Sequence, residues 1–406
     1  MKYRLLFGVV SILIFFSCNS SKNWYKGNLH THSYWSDGDN YPEMIMDWYK
    51  SHGYDFAVLS DHNTLQKGEK WKLLPKAPMH ELAFENYLEK YGDDWVEQRT
   101  DSAGRVHVKL KTLEEYRPLF EEKEKFLIIQ SEEVTASFEK KPIHMNVTNI
   151  QEFIEPADGN SVTQILQNNL DQVKEQREKS GHPMFLHINH PNFVWAITPD
   201  DIINLTGERF FEVYNGHPQV HNYGDSLRPS MEALWDRVQV AYLLAGKELL
   251  YGLAVDDAHN YHVFDENSSN PGRGWVQVRA KSLQAKDLIE SMESGDFYSS
   301  TGVILNDLKF DGKKLKFSIK PEDGVDYTIR FFGAKKSDPT HSGVLLQEIK
   351  GTKGSYTLGE DDLYVRARIT SSKSKENPYR PGDMEEAWIQ PVTNKMRVNL
   401  NQNKLF

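Results

Sequence analysis

The chain has 406 residues, of which 39% are hydrophobic and 26% charged, with a formal charge of −10, a water-soluble composition long enough for two domains or one large barrel with an appendage. No apolar run after residue 18 is long enough to span a bilayer. The balance reaches −12 when the two positive charges Lys2 and Arg4 leave with a leader, so nucleic acid is not expected as a partner.

In chain order, residues 1–18 have a basic start, an apolar stretch from Leu5 to Phe16, then Ser17 and Cys18, the layout of an export signal. This resembles a bacterial lipoprotein signal with its lipobox. The resemblance implies that Cys18 becomes the acylated first mature residue and anchors the chain to a membrane, periplasmic or surface-facing. Residues 19–23 read as a polar tether. Cys18 is the only cysteine, so the exported body has no disulfide and any metal ligands are nitrogen and oxygen.

Residues 24–304 alternate apolar runs with longer amphipathic stretches, an α/β rhythm. Phe56-Ala57-Val58-Leu59, Phe126 to Ile129, Met184 to Leu186 and Phe210 to Val213 read as strands, and Val162 to Lys179 and Ser230 to Leu244 as helices. Polar, metal-competent residues follow these strands, where a (β/α) barrel places its active mouth. Residues 66–122 interrupt the rhythm with a charged, aromatic insertion, read as a lid or an outer decoration. Residues 305–406 change to short alternating runs such as Leu315, Phe317 and Ile319, which fit a small β-sandwich-like domain.

Five polar clusters carry the chemistry. In Asn28-Leu29-His30-Thr31-His32 the two histidines alternate along a strand, so both imidazoles reach one side. Ser36-Asp37-Gly38 follows. Asp61-His62, Glu132-Glu133 with His144, His187 to Pro191, and Asp256-Asp257-Ala258-His259 come next. Gathering so many titratable groups carries a desolvation cost that bound divalent cations would offset.

In this order the clusters resemble the PHP family, the polymerase and histidinol phosphatase superfamily, over residues 24–304. The wording from Trp24 to His30 and Ser36-Asp37-Gly38 is similar to its carbaryl-hydrolase-like branch. The resemblance implies a PHP-type distorted (β/α)7 barrel. It also implies two to three divalent ions (Zn, Mn or Fe) held by His30, His32, Asp37, His62, Glu133, His144, His190, Asp257 and His259. His30, His32, Glu133 and Asp257 would hold one ion. Glu133, His144 and His190 would hold a second, and Asp37, His62 and His259 a third. Glu133 is preferred to Glu132 because Glu133-Val134-Thr135 matches the family's wording, although Gln130-Ser131 replaces its usual Pro-Gly. His190 is preferred to His187 because it precedes Pro191, and Asp257 to Asp256 because it stands two before His259. Asp61 is expected to orient His62 or a bound water. Arg273 is read as a donor to an anionic substrate or as a surface salt-bridge partner. Asn215 and His217 are read as substrate contacts or loop supports.

Adjacent cations make water nucleophilic near neutral pH, so no Ser or Cys nucleophile is needed. A small, anionic phosphate ester suits three cations best. Carbamate, ester or amide hydrolysis is the second reading. The third, an inactive surface binding module, predicts broken ligand positions, whereas every one is filled. For the anchor, Cys18→Ser is expected to abolish lipid labelling and membrane retention while leaving the body folded. Unchanged partitioning in a membrane fractionation would overturn the anchor.

Overall fold

The computed structural model describes residues 22–394, so the leader and Cys18 lie outside the described residues. The first half begins β1 (Asn23–Asn28), α1 (Pro42–Ser51) and β2 (Phe56–Leu59), followed by the inserted β3 (Lys70–Leu73), α2 (Pro78–Tyr91), β4 (Gln98–Thr100), β5 (Val106–Leu110) and α3 (Leu113–Phe120). It continues with β6 (Leu127–Phe138), β7 (Lys141–Thr148), α4 (Val162–Ser180), β8 (Phe185–Ile188), α5 (Pro199–Ile203), β9 (Phe210–Asn215), α6 (Met231–Leu244) and β10 (Tyr251–Val255). Every residue of β2, β8, β9 and β10 is buried, which is why these segments read as continuous apolar runs rather than alternating ones. The helices carry local start and stop signals. In α4 the Ser161 side chain accepts from Gln164 N and Gly181 ends the helix in the left-handed region, and Ser230 caps α6 in the same way. The buried Ile165, Leu166, Asn169, Leu170 and Val173 of α4 form one stripe against the sheet.

Seven strands, β1, β2, β6, β7, β8, β9 and β10, lie side by side in sequence order. The pairs β1–β2 and β2–β6 are parallel, β6–β7 and β7–β8 antiparallel, and β8–β9 and β9–β10 parallel. The expected distorted (β/α)7 barrel is present as an arc that strand pairing does not close. Beside β1, the place β10 would need is taken by β11 (Trp275–Ala280), which pairs antiparallel with Asn23 to Gly27. The first and last strands of the arc meet just beyond their ends, at the isolated bridge Thr31–Ala258. There His32 N donates to Ala258 O at 2.9 Å and Asp257 N to His30 O at 3.0 Å.

The sheet runs on past β11 through β12 (Phe297–Ser300), which follows α7 (Ala285–Glu293). The later strands are β13 (Leu305–Phe310), β14 (Lys314–Ile319), β15 (Tyr327–Lys335), β16 (Val344–Lys350), β17 (Lys353–Thr357), β18 (Asp362–Ser374) and β19 (Met384–Val392). Of these, β19, β18, β15 and β16 extend the main sheet in that order, giving thirteen strands, while β13, β14 and β17 form a separate three-stranded sheet. Leu308, Leu315 and Phe317 on that sheet pack against Ile329, Phe331, Val365, Ala367 and Ile389, a two-layer β core. Residues beyond 305 therefore form a two-layer unit that shares both a sheet and core residues such as Tyr298 and Val303 with the preceding chain.

The insertion forms a second small sheet, β3–β5–β4. Its Tyr87, Val96, Val108 and Leu110 pack with Tyr34, Trp35 and Tyr41. Tyr34 Oη lies 2.7 Å from His80 Nδ1, and Trp35 Nε1 donates to Lys111 O at 3.1 Å. The insertion thus buttresses the loop that carries Asp37.

A buried ionic cluster ties α6 to β18. The guanidinium of Arg366 grips Asp236 through two hydrogen bonds of 2.7 and 2.6 Å and Glu232 through one of 2.8 Å, and Tyr364 donates to Asp236 at 2.7 Å. Removing one partner of such a pair strands a buried charge. Arg366→Met is expected to cost about 3–5 kcal/mol in chemical denaturation. The double change Asp236→Leu with Arg366→Met is expected to recover most of that loss, and a single variant as stable as the native chain would refute the coupling.

Candidate metal centre

The site lies where the seven strands of the arc end or bend. His30 and His32 follow β1 and project to the same side, with ring centroids 5.1 Å apart. His62 follows β2. Glu133 sits within β6 and His144 on its partner β7, where Thr135 faces His144 across the ladder. His190 follows β8, and Asp257 and His259 follow β10. Asp37 comes from the loop held by the insertion. His30, His32 and Glu133 are fully buried, and Asp257 and His190 nearly so.

Their donor atoms converge. His30 Nε2 and His32 Nε2 are 3.1 Å apart. Asp257 Oδ1 lies 3.2 and 3.3 Å from them, and Glu133 Oε2 lies 3.4 and 3.1 Å from them. Ligands of one ion at metal bonds of about 2.0–2.1 Å stand about 3.3 Å apart in a tetrahedral set, so Glu133 Oε2 and Asp257 Oδ1 each stand at ligand spacing from the two imidazoles. The other oxygen of Glu133, Oε1, lies 3.0 Å from His144 Nδ1 and 3.7 Å from His190 Nε2. A third set surrounds Asp37, whose Oδ1 is 3.4 Å from His259 Nε2 and 3.5 Å from His32 Nδ1, and whose Oδ2 is 3.5 Å from His62 Nε2. His62 Nδ1 lies 3.0 Å from Glu133 Oε2, so the sets are contiguous. Glu133 Oε2 and His144 Nδ1 are buried without a hydrogen-bond partner. The donor chemistry, the spacing and these orphaned atoms all fit bound cations.

Electrostatics point the same way. Burial opposes charge on Glu133 and Asp257, but the facing imidazoles, His62 and His30 foremost for Glu133 and His30 for Asp257, hold both carboxyls well below their usual range. Burial likewise opposes charge on His30, while Asp257, Glu212 and Glu133 push its pKa well above the usual value. In this frame protons and cations compete for the same lone pairs.

Other side chains fix the ligands. Glu212 Oε1 sits 2.6 Å from His30 Nδ1, and its Oε2 accepts from His190 N at 2.7 Å and Asn215 Nδ2 at 2.8 Å. Burial raises the Glu212 pKa, but His30 and His187 outweigh it and lower it to about 2. The ionised Glu212 therefore accepts a hydrogen bond from His30 Nδ1–H, which leaves Nε2 to face the cluster. Asn189 Nδ2 donates to Glu133 Oε1 at 2.7 Å, and Asn215 Nδ2 to Asp257 Oδ2 at 3.0 Å. His259 Nδ1 lies 2.9 Å from Asp257 O, which turns its Nε2 toward Asp37.

All nine residues read as ligands are brought together. Of the alternatives, Glu132 accepts from Ile154 N at 3.1 Å and Asp256 from Arg273 N and Gly274 N at 2.7 and 2.9 Å, whereas His187 lies 3.3 Å from Glu212 and groups with it and His30. Two expected roles are corrected. Asp61 does not orient His62, because its oxygens accept from Ser33 N, Ser33 Oγ, Ser36 Oγ and Gln66 Nε2, so it shapes the turn leading to Asp37. Arg273 is neither an anion reader in this cavity nor a surface residue. It is 1% exposed, and its guanidinium donates to the carbonyls of Gly216, Asp265, Ser268 and Asn377. Sequence reasoning missed Glu212 and Asn189, and also Phe193 and Gln219, which line the cavity beside the cluster. The available signal for Glu212 was a lone carboxylate inside an apolar strand.

Metal content separates these roles. Glu133→Gln is expected to lose bound metal measured by elemental mass spectrometry, and Glu212→Gln to weaken metal affinity about 10- to 100-fold. Glu132→Gln is expected to retain the metal. Burial raises the Glu132 pKa from 4.5 to about 8. The unfolded chain releases this proton first, so this carboxyl erodes stability as pH rises between those values. Glu132→Gln is therefore expected to be more stable than the native chain in denaturation at pH 8–9. Full metal content in Glu133→Gln would show that the bridging carboxylate has been misassigned.

No protein-family profile and no curated protein sequence matches the chain. Among solved structures, it is similar to a two-domain protein from Bacteroides vulgatus described as containing a predicted PHP-like metal-dependent phosphoesterase. The similarity covers 91% of this chain and 95% of that one, at 14% identity and a TM-score of 0.41.

Proposed function

We propose that the chain is a metal-dependent phosphoesterase of the PHP kind, acting on a small phosphate ester. The observation that carries this reading is Glu133, whose two carboxylate oxygens face two different sets of imidazoles within a cluster of nine nitrogen and oxygen ligands. Such a set would hold two to three ions, Zn, Mn or Fe by ligand type. When bound, the ions supply charge neutralisation for phosphoryl oxygens and a water made nucleophilic near neutral pH.

The chain's own residues do the rest. The cavity has a volume of ≈ 290 Å3 and is lined by Asp37, His62, Glu133, His144, His190, Phe193, His217, Gln219, Asp257 and His259. This lining contains no serine or cysteine, so no hydroxyl or thiol side chain of those types faces the cavity. His217 Nδ1 accepts from Gln219 N at 3.2 Å, and burial lowers its pKa to about 4. The ring is thus neutral at pH 7 with its proton on Nε2, available as a donor to an ester oxygen. Glu212, Asn189 and Asn215 prevent the ligands from rotating away. The export signal read at Cys18 supports action at a membrane face outside the cytoplasm.

The test is a screen of the metal-quantified chain against phosphomonoesters, phosphodiesters, carboxyl esters and carbamates. Phosphate release that is lost on chelation and restored by divalent metal is expected, with inorganic phosphate inhibiting competitively. Efficient carbamate or carboxyl-ester turnover with no phosphate released from any ester would replace the electrophile and overturn the reading.

A further inference from the structure

Seven of the ten side chains lining the cavity belong to the ligand cluster, and Phe193, His217 and Gln219 make the remaining wall. Phe193 is the only large apolar side chain among them. It is half-buried, with its ring 5.1 Å from that of His190 and 5.9 Å from that of His217. No lysine or arginine lines the cavity.

The turn that presents Phe193 is held in an unfavourable conformation. His190, Val194 and Trp195 have φ of 23°, 45° and 58°, and for a β-branched residue such as Val194 the left-handed region is an outlier. Neighbouring packing imposes it. Trp195 stacks on His221 at 4.6 Å, with the guanidinium of Arg228 3.8 Å from its ring. Asn192 Nδ2 donates to His221 O and Pro229 O at 3.0 and 2.9 Å, and Phe193 forms a bridge with Val220. Strain sustained in this way next to a site marks a segment fixed for function.

We propose that Phe193 is a specificity-determining residue, a platform for a flat, uncharged aryl group carried on the substrate's ester oxygen, with Gln219 beside it as a polar contact. This rests on the phosphoester reading. An ester whose phosphoryl oxygens face the ligand cluster has Phe193, His217 and Gln219 as the remaining wall for its organic group. Ring-on-ring contact rewards an aryl group there, and a second anionic group against that wall meets no lysine or arginine.

Calorimetric titration of the zinc-loaded full chain with phosphonates tests this without turnover. Phenylphosphonate is expected to bind about tenfold more tightly than methylphosphonate, and 4-carboxyphenylphosphonate less tightly than phenylphosphonate. Phe193→Ala is expected to erase the phenyl preference while leaving zinc content and methylphosphonate affinity unchanged, and Phe193→Tyr to keep it. Equal binding of phenyl and methyl ligands to the native chain, or equal loss of both in Phe193→Ala, would overturn the platform. Phenyl-selective binding without hydrolysis of any phosphate ester would instead sink the phosphoesterase reading and leave the platform standing.

Discussion

The structure depends on one buried charge. Glu133 is fully buried, and an isolated carboxylate in that position would cost several kcal/mol. It stays ionised because imidazoles from four other places in the chain face it: His30 and His32, His62, His144 and His190. These groups must be held in orientation, which explains the second layer: Glu212 fixes the His30 ring, and Asn189 and Asn215 fix the carboxylates of Glu133 and Asp257. The apolar strands serve as rigid arms that deliver these groups to one point, and the surrounding core supplies the dry environment in which their interactions are strong.

The two halves of the chain and the insertion support that point from different directions. The insertion grips the Tyr34–Tyr41 loop, so the half-exposed Asp37 is held by aromatic packing from residues more than forty positions away. Arg273, deep beneath the loops, ties the carbonyls after β9 and β10 to the segment before β19. Its charge is spent on backbone oxygens, and that rigidifies the 256–274 turn from which Asp257 and His259 project. Asp61 acts similarly on the turn at Ser33.

Much of the site was legible because strand ends are legible. Apolar runs ending in Asp61-His62, Asp257-Ala258-His259 or His190-Pro191 announce both a strand and what it presents. Glu212 was hidden by the same logic, since it lies within the run rather than after it and reads as an interruption of a core strand. The fate of Arg273 was unreadable because its partners come from Gly216, Asp265, Ser268 and Asn377, a set defined only by tertiary contact. The open edge of the arc was unreadable for a related reason. Pairing of β1 with β11 joins residues some 250 positions apart, and no local pattern near Asn23 signals which strand will claim that edge.

The seam at Thr31–Ala258 links architecture to chemistry. The two backbone hydrogen bonds that join the ends of the arc are made by His30 O, His32 N, Asp257 N and Ala258 O, and three of those four residues also belong to the candidate ligand cluster. An ion gripped by His30, His32 and Asp257 would therefore act as a clasp as well as a reagent, stitching the first and last strands together where the ladder leaves them unlaced. The mouth would tighten and loosen with metal occupancy, and assembling the site and closing the fold would be a single cooperative event.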